Sequence, residues 1–104
     1  MSERHKVKLT VLKRFSPSEV FETLPVKPIK PLEACGIYKD GQEFVIGTDM
    51  KMPEGFCTWA WNSIYLQAVH LMLDGDLPWL KEKGECVTCC TDGLRPVLFH
   101  LQRI

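Results

Sequence analysis

Residues 85–104, "ECVTCCTDGLRPVLFHLQRI", decide the architecture. Two alternating stretches, "ECVTCCT" and "RPVLFHLQRI", flank an Asp92-Gly93 pair. Asp-Gly supplies the positive backbone dihedrals of a two-residue turn, so the stretch reads as a β-hairpin. In that register Thr91 pairs with Leu94 and Cys90 lies opposite Arg95, with Cβ atoms about 5 Å apart. Strand alternation then places Cys86, Thr88 and Cys90 on one face, and Cys89, Leu98 and His100 on the other.

Working back from this hairpin, "TWAWNSIYLQAVHLMLDG" (58–75) is the longest helical stretch. Thr58 is the expected N-cap and Gly75 the expected stop. Trp61, Ile64, Tyr65, Ala68 and Met72 recur at helical spacing and form the expected core stripe, with Ser63, Gln67, His70 and Asp74 on the polar side. Trp59, Leu66 and Leu73 recur every seven residues as a second apolar flank. At the other end of the chain, "KVKLTVLKRF" (6–15) turns Val7, Leu9 and Val11 to one side and Lys6, Lys8 and Thr10 to the other, as a strand with one wet face does. "FSPSEVFETL" (15–24) carries Ser16 as N-cap, Pro17 at the first helical position and Glu19 to close a capping box, and Phe15 with Val20 forms a hydrophobic staple. These signals predict a helix over 17–24.

Pro25, Pro28 and Pro31 fall at every third position and predict an extended connector, with a PxxP-type interaction ligand as the other reading. "GIYKDGQEFVIG" (36–47) reads as two short strands around an Asp40-Gly41 turn. The order β-α-β-β-α-β-β predicts an α+β fold, a mostly antiparallel sheet with one long helix packed on one face, in a single domain over 1–104.

Composition narrows the function classes. Of 104 residues 45% are hydrophobic and 25% charged, which is globular rather than disordered. Thirteen basic and thirteen acidic side chains cancel, leaving no electrostatic basis for a nucleic-acid or anionic-membrane partner. No apolar run approaches the roughly 20 residues of a membrane span, and "MSERHKVKLTV" has no signal-peptide core. The expectation is a cytoplasmic protein whose five cysteines stay reduced.

In "GFCTWAWNSIY" (55–65), "GDLPWLKEKG" (75–84) and "CCTDGLRPVLFHLQRI" (89–104) the chain resembles a family of small prokaryotic proteins of unknown function, many from anaerobes and archaea. The resemblance runs from the first strand to the last. It implies no activity. It matches family cysteines at Cys35, Cys57 and Cys90, while Cys86 and Cys89 match no family position. The family's cysteine-proline pair stands here as Cys35-Gly36.

The cysteines carry the candidate chemistry. Cys86 and Cys89 have the spacing of a metal half-site, but strand residues three apart face opposite ways. Cys35, Cys57 and Cys90, brought together in space with a histidine or water as fourth ligand, would suit zinc or iron. Free cysteines also serve as small buried hydrophobes, and that reading stands beside the first. Cys57 precedes the long helix, where unpaired amides favour a thiolate. Arg95 across from Cys90 would do the same, unless Asp92 takes the arginine and makes it a turn clamp. Cys57, Cys90 and Arg95 are thus the catalytic candidates, and Cys89 is expected to be plain packing. Trp59, Trp61 and Trp79, with Asp92, are candidates to wall a small-molecule pocket. His5 is expected in a mobile terminus, and His70 and His100 away from the chemistry.

Two functional readings follow. One is a cysteine-centred metal or small-molecule site. The other is a non-catalytic oligomeric interaction module, a homo-oligomer through the Trp59-Leu66-Leu73 flank, in which cysteines and tryptophans are packing.

Overall fold

Val7, Leu9 and Val11 are completely buried, as the alternation of their strand requires. The structure, a computed structural model, describes residues 4–104. Strand β1 spans Val7–Arg14, helix α1 Pro17–Val20, strand β2 Glu43–Ile46, helix α2 Thr58–Met72, strand β3 Glu85–Cys89 and strand β4 Val97–Arg103. The four strands form one antiparallel sheet in the order β2-β1-β4-β3. The two longest strands, β1 and β4, lie side by side at its centre. Helix α2 packs against β1, β3 and β4, and the opposite sheet face is open. The fold is the α+β arrangement expected, with one strand fewer. Among the described residues no helix is long and apolar enough to cross a membrane.

The missing strand is the one before Asp40-Gly41. Residues 36–42 turn instead of pairing. Gly41, at φ 82°, donates its N–H to Val11 O at 2.7 Å, and β2 pairs with β1 rather than with its own flank. This frees Tyr38 to fold inward, where it is 2% exposed. Its ring meets Phe44 and Phe99 edge-on, at 6.0 and 5.5 Å, and Phe56 at 5.4 Å. Aromatic pairs at these separations and angles are favourable beyond the area they bury.

The hairpin also departs from expectation. Gly93 does not adopt positive φ, so the tight Asp-Gly turn is absent. Instead the Asp92 carboxylate accepts the amides of Leu94 and Arg95, at 3.0 and 3.4 Å, a local alternative that aspartate offers readily. Pro96 has no amide to extend the ladder. The loop is therefore wider, and the Cys90 amide donates to Val97 O at 3.0 Å. Cys90 lies opposite Val97, not Arg95. The alternation itself holds: Cys86, Thr88 and Cys90 oppose Leu101, Phe99 and Val97 on the covered face. Cys89 is exposed on the other face and Cys86 is buried, so the packing cysteine is Cys86 rather than Cys89.

The helices are shifted or shortened. Helix α1 keeps its capping box, with the Ser16 amide donating to Glu19 Oε1 at 2.9 Å, but it stops at Val20 and not at 24. Val20 is exposed, and the Phe15 ring instead sits under the Lys13 ammonium at 4.9 Å. Between α1 and β2 the proline-rich segment has neither helix nor strand. Helix α2 buries Ala60, Ile64, Ala68, Leu71 and Met72; Trp61 is half-buried and Tyr65 exposed. The buried stripe is thus rotated by one residue at the N-terminal end, putting the small Ala60 under the cavity described below. Cys57, not Thr58, is the N-cap.

At the other end of α2 the left-handed residue is Asp74, at φ 68°. Gly75 follows with its N–H on His70 O at 2.7 Å. A Cβ there would lie 2.4 Å from the His70 ring, so this glycine supplies room rather than dihedral freedom. Arg103 closes the same end: Nη1 donates to Leu71 O and Gly75 O at 3.2 and 2.8 Å, and Nη2 to Asp76 Oδ1 at 3.1 Å. The strand that completes the sheet thereby satisfies carbonyls that the helix end leaves open.

Candidate functional site

Three segments meet at the N-terminal end of α2. The turn after the proline-rich connector brings Cys35, Ile37 and Tyr38. The helix start brings Cys57, Trp59 and Ala60. The β3–β4 loop brings Cys90, Asp92 and Arg95. Between them lies a cavity of about 120 Å³ lined by these residues. The sequence's three candidate thiols, Cys35, Cys57 and Cys90, all face it, as do Arg95, Asp92 and Trp59. Trp61 and Trp79 do not line it. Trp61 packs edge-on against Phe56 and Tyr65, at 6.3 and 5.5 Å, and Trp79 stands 74% exposed on the connection to β3.

Each cysteine is held by a different contact. The Cys57 amide donates to the Tyr38 hydroxyl at 3.0 Å, and the Cys57 carbonyl accepts the Trp61 amide at 2.8 Å as the first helical bond. Its sulfur makes no capping bond. Cys90 Sγ accepts the Val97 amide at 3.3 Å. The Cys35 carbonyl accepts Arg14 Nη1 at 2.9 Å, and Arg14 also binds Asp40, so the end of β1 anchors the third wall.

Tyr38 is the functional candidate that sequence reasoning missed. Burial pushes its hydroxyl up to about 12; the Cys57 amide opposes this and the nearby thiols of Cys57, Cys35 and Cys90 add to it. The hydroxyl therefore keeps its proton at neutral pH. Its oxygen already accepts the Cys57 amide, and among the described residues its own proton meets no acceptor. The sequence places residue 38 in the first of two short strands around Asp40-Gly41; the signal against that is a single large aromatic inside a Gly- and Asp-rich turn segment.

Arg95 is the clamp that the alternative reading described. Its Nε donates to Asp92 Oδ2 at 3.0 Å, and both residues line the cavity with their charges balanced. Burial pushes Asp92 upward, but the Arg95 side chain and the amides of Leu94 and Arg95 outweigh it and hold the carboxyl below its ordinary value. No histidine reaches the cavity. His5 pairs with Asp74 at 2.6 Å, which ties down the segment expected to be mobile; His70 bonds Asp76 O at 3.0 Å; His100 pairs with Glu85 at 2.6 Å on the open sheet face. Among the described residues no three His, Cys, Asp or Glu side chains form a group that could hold a metal ion. Of the histidine or water expected as a fourth ligand, the histidines are all bonded elsewhere. No family model, curated protein or solved structure matches the chain.

The Asp92 interactions predict an acid-sensitive loop. A carboxylate whose folded value is depressed contributes stability above its unfolded value of about 3.9, and that contribution is lost as pH falls through the folded value. Asp92→Asn should lower stability at pH 7 by about 1 kcal/mol or less, since Arg95 is partly solvated. The difference from wild type should shrink below about pH 4. Urea unfolding at pH 7 and pH 3 measures it; a pH-independent difference would contradict this assignment.

Proposed function

We propose that this protein binds a small molecule in the thiol-lined cavity, with the cavity thiols as the groups that engage it. The observation that carries the reading is convergence. Three of five cysteines, from segments far apart in sequence, share one small cavity with a buried, protonated tyrosine hydroxyl. These are the three cysteines that the family resemblance matches. Cys86 lies elsewhere, buried in the core. A zinc or iron centre at Cys35, Cys57 and Cys90 would require the three loops to close onto an ion, so a small molecule fits the arrangement better.

The test is site-resolved alkylation of the native protein. Cys89 is exposed and labels first regardless of function, so Cys89→Ser is the background. Iodoacetamide should modify Cys57 and Cys90 at least about tenfold faster than buried Cys86. Elemental analysis of the same protein should find less than stoichiometric zinc and iron. Thiols inert until unfolding would overturn the reading, and a stoichiometric metal would replace it with a metal centre.

A second reading has its own observation. Trp59, Leu66 and Leu73 are 66%, 76% and 52% exposed along one flank of α2. Beside Leu66 runs a groove of about 360 Å³, lined also by Leu71, Leu77, Cys86 and Gln67. The buried Gln67 Oε1 has no hydrogen-bond partner. A homo-oligomer through this flank would cover apolar surface that a monomer leaves wet. Leu66→Glu should then convert an oligomer to monomer by light scattering. A wild-type chain already monomeric at micromolar concentration would remove this reading.

A further inference from the structure

The chemistry around the cavity selects a ligand class. We infer that the cavity captures short, uncharged aldehydes as a hemithioacetal on Cys57, with the Tyr38 hydroxyl donating a hydrogen bond to the oxygen of the adduct; this rests on the thiol-cavity reading above and names its ligand.

The size sets the first limit. A cavity of about 120 Å³ corresponds to about four waters at roughly 30 Å³ each, which suits a two- or three-carbon molecule. The polar groups set the second. The Tyr38 oxygen accepts the Cys57 amide at 3.0 Å, so what it offers the cavity is its O–H. A ligand that brings an acceptor oxygen to this O–H takes the place of solvent there. The ligand must therefore bring an acceptor oxygen next to an atom that a thiol can attack, and a carbonyl does both. Cys57 is the thiol assigned because its own amide binds that same hydroxyl, which makes nucleophile and donor neighbours, and its sulfur makes no cap bond. The Cys90 sulfur is already engaged by the Val97 amide.

The charge pattern sets the third limit. Arg95 is the cation at the cavity, and Asp92 neutralises it at 3.0 Å. An aldehyde bearing a carboxylate finds no net positive charge there, and an uncharged one meets no penalty. The reaction is an addition. The Cys57 S–H adds across the carbonyl, an S–C bond forms as the C=O π bond breaks, and the thiol proton ends on the former carbonyl oxygen. Tyr38 keeps its proton and donates only a hydrogen bond. No oxidant, reductant or leaving group is involved, and the step reverses by the same path.

The experiment is a titration of the full chain, in the Cys89→Ser background, with ¹³C-labelled acetaldehyde observed by NMR. The expected result is one hemithioacetal per chain, absent in Cys57→Ser and weakened about fivefold in Tyr38→Phe, the worth of one hydrogen bond. Glyoxylate should bind more weakly than acetaldehyde. Benzaldehyde, too large for the cavity, should show no preference for the protein over a free thiol, an arm that needs no Tyr38 variant to fold. An adduct that persists in Cys57→Ser, equal affinity in Tyr38→Phe, or affinity no better than that of free cysteine overturns the inference. Iodoacetamide labelling of Cys57 in the same samples separates the two levels. If Cys57 labels readily while acetaldehyde gains nothing, the aldehyde assignment falls and the thiol cavity stands; if Cys57 is also inert, both fall.

Discussion

The hydrogen bond from the Cys57 amide to the Tyr38 hydroxyl is where fold and site become one object. Tyr38 lies in a segment with no helix or strand of its own, and Cys57 caps the long helix α2. The ring is held by Phe44, Phe56 and Phe99, which come from β2, the loop before α2, and β4. A fully buried aromatic of this size contributes on the order of 2 kcal/mol in burial alone. That packing fixes the hydroxyl, the hydroxyl fixes the start of α2, and the position of Cys35 follows from its short tether to Tyr38. Removing the ring would therefore open the cavity as well as weaken the core.

The two ends of α2 are built on opposite principles. At its C-terminal end the polar groups are paired: Arg103 takes two carbonyls and Asp76, Asp76 takes the Gly84 amide at 2.7 Å, and His5 takes Asp74. The Gly84 amide, followed by Arg103, holds the Asp76 carboxyl below its ordinary value against the effect of burial. The carboxylates of Asp74 and Asp76 are thereby already occupied. At the N-terminal end the sulfur of the N-cap residue makes no cap bond, three cysteines line a cavity, and among the described residues the Tyr38 hydroxyl proton meets no acceptor. A saturated end anchors the helix to the sheet, and an unsaturated end offers groups to something else. This asymmetry supports our proposal that the cavity is a site, since a packing defect in a close-packed interior would be lined by apolar groups alone.

Much of this was legible in the residues. The alternation of Val7, Leu9 and Val11 and of Val97, Phe99 and Leu101 gave the two central strands, because burial on one face leaves a period-two trace. The facing of Cys90 and Cys86 away from Cys89 followed from the same rule even though the turn was misjudged. The turn failed because Asp92 was read for its backbone preference, whereas its carboxylate bonds the next two amides and widens the loop. The core stripe of α2 was displaced because Trp61 and Tyr65 are large enough to attract any hydropathy reading, while Ala60 and Leu71 are buried in their place beside the expected Ile64, Ala68 and Met72. Tyr38 was illegible for a different reason. Its role depends on contacts with residues 44, 56, 57 and 99, none of which a local pattern predicts. Cys35, Cys57 and Cys90 were named together from the resemblance; composition and spacing do not single them out.

The account stands on Cys35, Cys57 and Cys90 sharing one cavity that excludes Cys86 and Cys89. Dibromobimane, a small reagent with two thiol-reactive arms, measures this directly when the native protein is treated at equimolar reagent and digested for peptide mapping. The account predicts bridged peptides joining Cys57 to Cys90 or Cys35, with Cys89 carrying only singly attached reagent and Cys86 unmodified. Bridges that include Cys86 or Cys89, or single attachment at every thiol with no bridge among the three, would contradict it.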